Sequence, residues 1–404
     1  MACAKARKPL PGRIARRAAS VRACGMKIAL VTDWFAPRVG GIEVHIRELA
    51  IRLRQRGHAA VVLTPWPGPT EVSGVPVQRI PAGVVPGLGV SLSPKLVRHF
   101  RDAFRRERYD VVHSHMSIGS LAAVAGVYAA SRTGLPTVVT FHSVLGRWRR
   151  AYTLAAPVLG WRRWPCRVTA VSEAVARDLR YLMPDRSVTM LPPAIDEKDW
   201  QAVAPATEPG KLRLVTTARL HPRKRLDALL KVLAQVRERV GSETAVTLEV
   251  LGGGSHQTAL MKLARRLELA DGLHFLGAGT EADVRTLLAR GDLFVNACDQ
   301  ESFGIAGLEA LCAGIPVVAR AEGGMSSFVD HEGNGLLVDS DGAMADALVA
   351  LAQEPSRLAR LRAGASLGIP QAYRWRGAVD RHVELYSEVM GLTALSSRSM
   401  VESV

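Results

Sequence analysis

Residues 26–45 read Met26-Lys-Ile-Ala-Leu-Val-Thr32, then Asp-Trp-Phe-Ala-Pro-Arg-Val, then Gly40-Gly41-Ile42-Glu43-Val44-His45, and this succession decides the fold. A short β-branched run, a loop and two glycines opening an amphipathic segment make a strand–loop–helix unit of a parallel sheet. Glycine lets the backbone approach a ligand closely, and the helix that follows offers free N–H groups to a phosphate. A tight turn with a solvated glutamate would read the same way.

The unit repeats along the chain. Strands are predicted at 27–32, 59–63, 110–113, 136–140, 167–171 and 187–190, with helices between them, including 42–56 and 173–182. After Pro192-Pro193 and a Pro-, Ala- and Glu-rich stretch near 201–210 the pattern restarts, with strands at 212–217, 245–251, 273–276, 292–296, 315–318 and 335–338. This is an α/β chain of two Rossmann-like, doubly wound domains, spanning 26–200 and 201–373, whose sheets face an interdomain cleft. A helix over 374–391, containing Trp375 and Tyr386, follows the second sheet, and a flexible tail covers 392–404.

Composition bounds the function. At 404 residues, 48% hydrophobic and 22% charged, the chain is a folded protein of more than one domain. Its most apolar stretch, 117–130, is shorter than the roughly 20 residues of a membrane span. Five scattered cysteines, Cys3, Cys24, Cys166, Cys298 and Cys312, suit a reducing compartment and offer no metal-ligand spacing. We therefore expect a cytoplasmic protein without disulfide or metal.

The net charge of +16 is unevenly distributed: residues 1–25 hold seven Lys or Arg and no acid, 26–200 hold 24 against 13 acids, and 201–404 hold 22 against 24. A basic first half attracts anions, whether an acceptor, the inner face of the cell membrane or nucleic acid. A high arginine content that merely reflects a GC-rich genome would leave the same imprint. No nucleic-acid recognition motif accompanies the charge, so that partner is not expected. The 1–25 leader lacks a secretory apolar run and is expected to be disordered, ahead of a natural domain start at Met26.

Two further elements complete the chemistry. Arg219-Leu-His-Pro-Arg-Lys224-Arg follows the strand at 212–217, placing cations at a strand's carboxyl end to neutralise a diphosphate. Glu301-Ser-Phe-Gly-Ile-Ala-Gly-Leu-Glu309 follows the strand at 292–296, and the amides of Phe303, Gly304 and Ile305 open a helix. If 301–309 were wholly helical, its carboxylates would stand roughly 12 Å apart. A retaining glycosidase needs about 5–5.5 Å, so the pair is not a hydrolase acid and nucleophile. No G-x-G-x-x-G follows either lobe's first strand, which disfavours an NAD-type oxidoreductase.

These three elements, in this order, resemble the family 4 glycosyltransferases of GT-B fold, over residues 26–391. The resemblance implies a retaining transfer of a hexose, of mannose, glucose or N-acetylglucosamine type, from a nucleoside-diphosphate sugar to an acceptor hydroxyl. It implies no cofactor and no required metal. Carried onto this chain, Arg219 and Lys224 bind the donor diphosphate, Glu309 the ribose hydroxyls and Glu301 the sugar hydroxyls, while Gly40 and Gly41 approach the phosphates from the acceptor-side domain. His142, in Thr140-Phe-His-Ser143, ends a strand where family members place a histidine beside the reacting sugar.

His113 and His115 either line the acceptor pocket or serve as structural hydrogen-bonding residues. Asp33 and Glu43 are candidates for assisting the acceptor hydroxyl, or are caps. Local likeness extends to enzymes that glycosylate phosphatidylinositol, making the acceptor a glycan or an anionic lipid met at a membrane surface. The Arg147–Trp164 segment, cations mixed with aromatics, suits such an interface or packs as an ordinary amphipathic helix. The alternatives are another GT-B enzyme, an epimerase or phosphorylase, or a non-catalytic nucleotide-sugar binder.

Overall fold

The β-branched runs form two parallel sheets, as their periodicity implies. The computed structural model describes residues 25–38, 40–85, 89–159, 164–200, 208 and 210–391. The basic leader up to residue 24, most of the 201–210 stretch, Trp161-Arg162-Arg163 and the tail from 392 lie outside the described residues.

The first lobe runs β1 (Lys27–Val31), α1 (Gly41–Gln55), β2 (Ala59–Thr64), β3 (Glu71–Val72), β4 (Val75–Arg79), α2 (Leu96–Glu107), β5 (Val111–Met116), α3 (Leu121–Thr133), β6 (Thr137–Phe141), α4 (Arg149–Leu159), β7 (Arg167–Ala170), α5 (Glu173–Leu182) and β8 (Val188–Met190). The second runs β9 (Lys211–Thr217), α6 (Leu226–Val240), β10 (Ala245–Leu251), α7 (Gln257–Arg266), β11 (Leu273–Gly277), α8 (Glu281–Arg290), β12 (Leu293–Asn296), α9 (Ile305–Cys312), β13 (Val317–Arg320), β14 (Gly335–Val338), α10 (Asp341–Gln353) and α11 (Pro355–Ala365), before a last helix, α12 (Trp375–Val389).

The sheet orders are β3-β4-β2-β1-β5-β6-β7-β8 and β11-β10-β9-β12-β13-β14. In each, the strand order reverses at the lobe's first strand, β1 or β9, and ligands of doubly wound sheets bind beyond the strand ends at such a point. The loops after β1, β6, β9 and β12 carry the residues singled out above.

Three features depart from the periodicity. The β3–β4 hairpin was not predicted; β3, Glu71–Val72, is too short to show a period and Pro76 interrupts β4, while Ser73 and Gly74, both at positive φ, make a two-residue turn of the type that joins twisted strands. Strand β13 starts two residues late because Pro316 has no N–H to give the ladder, though its carbonyl accepts from Phe294 N at 2.9 Å.

The third departure is α12, which does not stay with the second sheet. Trp375, Ala378, Val379, Leu385 and Tyr386 join the core of the first lobe beside Ile28, Leu49 and Val138. Arg56 pairs with Asp380 at 2.7 Å and Arg167 with Glu388 at 3.3 Å. The chain thus crosses between lobes twice, and the crossings are joined: Ile195 N donates to Tyr373 O at 3.0 Å, and Glu197 pairs with Arg374 at 3.1 Å. One apolar cluster also runs across the junction, from Phe141, Val144 and Val175 to Phe303, Met325 and Phe328.

Candidate active site

In the second lobe the loop after β9 turns through a 3₁₀ segment at Pro222–Lys224, capped by the His221 side chain, which accepts from Arg223 N at 3.2 Å. This turn delivers Lys224 to Glu301, Nζ to Oε2 at 2.6 Å, with both side chains largely buried. Burial opposes the charge on Lys224, but the adjacent Glu301 carboxylate outweighs it and holds the ammonium pKa above its ordinary value. Arg225 is committed elsewhere, to Ala297 O at 3.1 Å and Asp341 Oδ2 at 2.7 Å. Arg219 is exposed at the head of the loop, and its charge reaches Glu43 of the opposite lobe.

The loop's path depends on Gly252 and Gly254, which follow β10. A Cβ at Gly252 would lie 1.8 Å from Ala218 O, and one at Gly254 2.3 Å from Leu220 O, both at positive φ. Only glycine lets these two backbones pass so closely. This role was missed in the sequence; the position of both glycines directly after the second strand of the lobe is the signal that was there.

Helix α9 opens at Gly304, at φ 89°, with no side chain capping it, which leaves first-turn amides for a ligand. The ring of Phe303 packs on Phe328 and Tyr373, so its contribution to a ligand is its backbone. A Cβ on Gly304 would meet Met325 Cγ at 2.5 Å. Glu301 precedes the helix, and its carbonyl accepts from Gly324 N at 2.7 Å. Glu309 lies in the second turn, where burial pushes its carboxyl up to about 8 with a further push from Glu281.

In the first lobe, Gly40 lies against the Glu43 carboxylate, where a Cβ would be 2.6 Å from Oε2, while a Cβ on Gly41 would meet nothing within 4 Å. Glu43 pairs with Arg38 at 3.1 Å; burial raises its pKa despite that partner. Asp33 is a cap, the other of the roles expected for it beside assisting an acceptor. Its carboxylate is 1% exposed and accepts from Ala122 N at 2.8 Å and Ala123 N at 3.1 Å, capping α3 rather than facing a substrate. Burial still lifts it to about 6 against those hydrogen bonds.

His142 follows β6, and the lobes touch beside it: Val144 N donates to Ser302 Oγ at 3.1 Å, and Ser172 Oγ donates to Ser302 O. Glu301 and His142 are thus each within two residues of the same contact. His142 belongs to a buried group with His45, His113, His115 and His382. Burial is the main reason that every one of these imidazoles titrates below its ordinary value, His142 at about 3 and His382 at about 4.

His113 is structural, the second of the two roles expected for it. Its Nδ1 meets Tyr386 Oη at 2.7 Å and its Nε2 meets Thr140 Oγ1 at 2.6 Å. The chain continues from Thr140 to Thr169 at 2.6 Å, and Thr169 donates to Val139 O. Since Thr169 spends its proton on that carbonyl, Thr140 donates to Thr169, His113 Nε2–H donates to Thr140, and Tyr386 donates to Nδ1. His382 and Tyr386 were missed at this site, since nothing in the sequence announces that α12 returns here; His45, at the end of the Gly40–His45 motif, stacks its ring on Trp375 of that helix at 5.5 Å. Among the described residues no group of three or more His, Cys, Asp or Glu is arranged to hold a metal.

Both halves of the chain match families of known proteins. Residues 39–199 match the model of "Glycosyltransferase Family 4" and residues 198–366 that of "Glycosyl transferases group 1". A human phosphatidylinositol N-acetylglucosaminyltransferase polypeptide is 27% identical over 90% of this chain and 76% of its own length. A D-inositol 3-phosphate glycosyltransferase of Stackebrandtia nassauensis is 29% identical over 89% of each chain. A GDP-mannose-dependent α-(1-6)-phosphatidylinositol monomannoside mannosyltransferase of Mycobacterium tuberculosis is 28% identical over 86% of this chain and 95% of its own. Among solved structures, Anabaena HepE in complex with UDP and glucose superposes with a TM-score of 0.71 at 21% identity, over 90% of this chain and 99% of its own.

Proposed function

We propose, on the premise that this chain belongs to the family 4 glycosyltransferases of GT-B fold, that it moves a hexose with retention from a nucleoside-diphosphate sugar to a hydroxyl of an inositol phosphate, free or as a phosphatidylinositol lipid. The observation that carries the donor half is the Lys224–Glu301 pair at 2.6 Å, set between the Arg219 loop and the uncapped start of α9. Here the cation and the amides meet the diphosphate, and the Glu301 carboxylate accepts from sugar hydroxyls.

The pyrophosphate leaves against Arg219, Lys224 and the amides at Phe303, Gly304 and Ile305, and Gly40 and Gly41 approach from the other lobe. Fixed charge and dipoles aimed at a departing anion supply most of the rate in such chemistry. These cations supply the counter-charge, so transfer proceeds without added divalent metal. Glu309 receives the ribose hydroxyls, and His142 stands beside the anomeric centre.

The acceptor reading is supported by the three relatives above, each named for an inositol-containing acceptor, and by the basic excess of the first lobe. At the edge of that lobe, Trp148 is 50% and Leu154 81% exposed beside Arg149 and Arg150, a composition suited to an anionic membrane surface. Among the described residues no helix is long and apolar enough to cross a membrane, so this contact would be peripheral.

The test is to incubate the protein with UDP-glucose, UDP-N-acetylglucosamine or GDP-mannose, with and without inositol 3-phosphate or phosphatidylinositol vesicles, in the presence of EDTA. A glycosylated inositol with the donor's anomeric configuration is expected. Nucleotide release that ignores both acceptors would sink the acceptor assignment, and release from UDP-N-acetylglucosamine with epimerised sugar would mark an epimerase.

A further inference from the structure

His115 Nδ1 lies 3.0 Å from His142 Nε2, and the two side chains are 1% and 7% exposed. Between two neutral imidazoles a hydrogen bond has one direction: one nitrogen carries the proton and the other accepts. The remaining nitrogens then decide which. His115 Nε2 is buried with no hydrogen-bond partner among the described residues. If His142 were the donor, His115 would carry its own proton on Nε2 and bury an unpaired N–H. If His115 is the donor, Nε2 is a bare lone pair, and an orphaned acceptor is tolerated better than an orphaned donor.

The surrounding rings leave no competing arrangement. His113 is fixed as the Nε2–H tautomer by Tyr386 and Thr140, and His382 Nδ1–H donates to Ala378 O at 2.7 Å. His45 contacts His115 and His142 through ring faces and edges. Among the described residues, only the His115–His142 hydrogen bond sets the proton on His142.

We infer that His115 is a positioning residue whose Nδ1–H donates to His142 Nε2, locking His142 as the Nδ1–H tautomer. The one ring nitrogen of His142 left for a ligand then already bears a proton. His142 is a hydrogen-bond donor to a sugar hydroxyl or phosphate oxygen, and it cannot take a proton from the acceptor hydroxyl as a base. This rests on the reading of His142 as the histidine beside the reacting sugar, but the tautomer itself does not.

Two measurements separate these claims. In protein carrying ¹⁵N-labelled histidine, long-range ¹H–¹⁵N spectra should show His142 Nδ1 protonated and Nε2 bare, unchanged between about pH 6 and 8, since His142 titrates at about 3 and its neighbours His45, His113, His115 and His382 are likewise held neutral. The opposite tautomer overturns the inference whatever the enzyme does.

In the transfer assay, His115→Asn, whose amide N–H can take the place of Nδ1–H, should stay within about threefold of wild type in kcat, while His115→Leu falls by about 10²–10³ with the donor KM and nucleotide Kd little changed. A His115→Leu protein that binds nucleotide normally and transfers at the wild-type rate also overturns it. If wild type transfers no sugar from any donor, the functional assignment fails and the spectra still decide the tautomer.

Discussion

Replacing Glu309 by glutamine should remove a pH-dependent loss of stability. The folded carboxyl titrates at about 8 against an ordinary 4.5, because burial in α9 disfavours its charged form. The native state therefore keeps a proton that the unfolded chain releases once the pH passes 4.5. Stability is lost as pH rises through the window from 4.5 to 8 and levels off above it. At about 1.36 kcal/mol per pH unit, that difference sets a ceiling of about 4–5 kcal/mol. Glu309 keeps partial exposure, which brings the expected effect down to about 2–4 kcal/mol.

Urea unfolding followed by circular dichroism at about pH 5 and pH 8.5 reads it directly. Glu309→Gln and wild type should agree within about 1 kcal/mol at the lower pH and separate in favour of the variant at the higher. The same proton governs the proposed ribose contact: a nucleotide that binds the ionised carboxylate gains affinity as pH rises toward 8 in wild type and shows no such trend in the variant. Stability curves that run parallel across the window would refute the reasoning.

Lys224→Ala removes the cation facing Glu301 and should abolish the thermal shift that nucleoside diphosphates give, an effect worth about 2.7 kcal/mol at one hundred times Kd. Gly252→Ala drives a Cβ to 1.8 Å from Ala218 O; differential scanning fluorimetry should show nucleotide binding weakened about tenfold or more through the displaced Arg219 loop. Asp33→Ala leaves the amides of Ala122 and Ala123 uncapped and should lower stability by about 1–3 kcal/mol in urea titrations. Replacing Trp148 and Leu154 together by alanine should weaken retention on phosphatidylinositol vesicles in a sedimentation assay, with turnover of soluble inositol 3-phosphate unchanged.

What the sequence displayed depends on how local each constraint is. Glu301, Gly304 and Glu309 were legible because strand, glycine turn and helix start fall within a dozen residues, and their spacing encodes their geometry. Arg219 and Lys224 were legible as a pair beyond a strand, but Arg225, equally basic and adjacent, is diverted to Asp341 by a contact spanning the lobe. Asp33 could not be told apart as cap or reactive carboxylate because its partners, the amides of α3, lie some ninety residues on. The histidines of β5 were visible as a motif, yet the role of His113 rests on Tyr386 and Thr140 and that of His115 on His142, which no periodicity connects to them.

The return of α12 to the first lobe has a consequence for biosynthesis. Tyr386 is fully buried there and Trp375 nearly so, so the half of the protein that is translated first lacks part of its interior until Trp375–Val389 has left the ribosome. The second lobe, whose own core draws on residues 212–361, can close earlier. A chain truncated just short of residue 375 and released from the ribosome should therefore display a protease-resistant carboxyl-terminal half tethered to an unfinished amino-terminal one, inverting the usual order in which tandem domains mature.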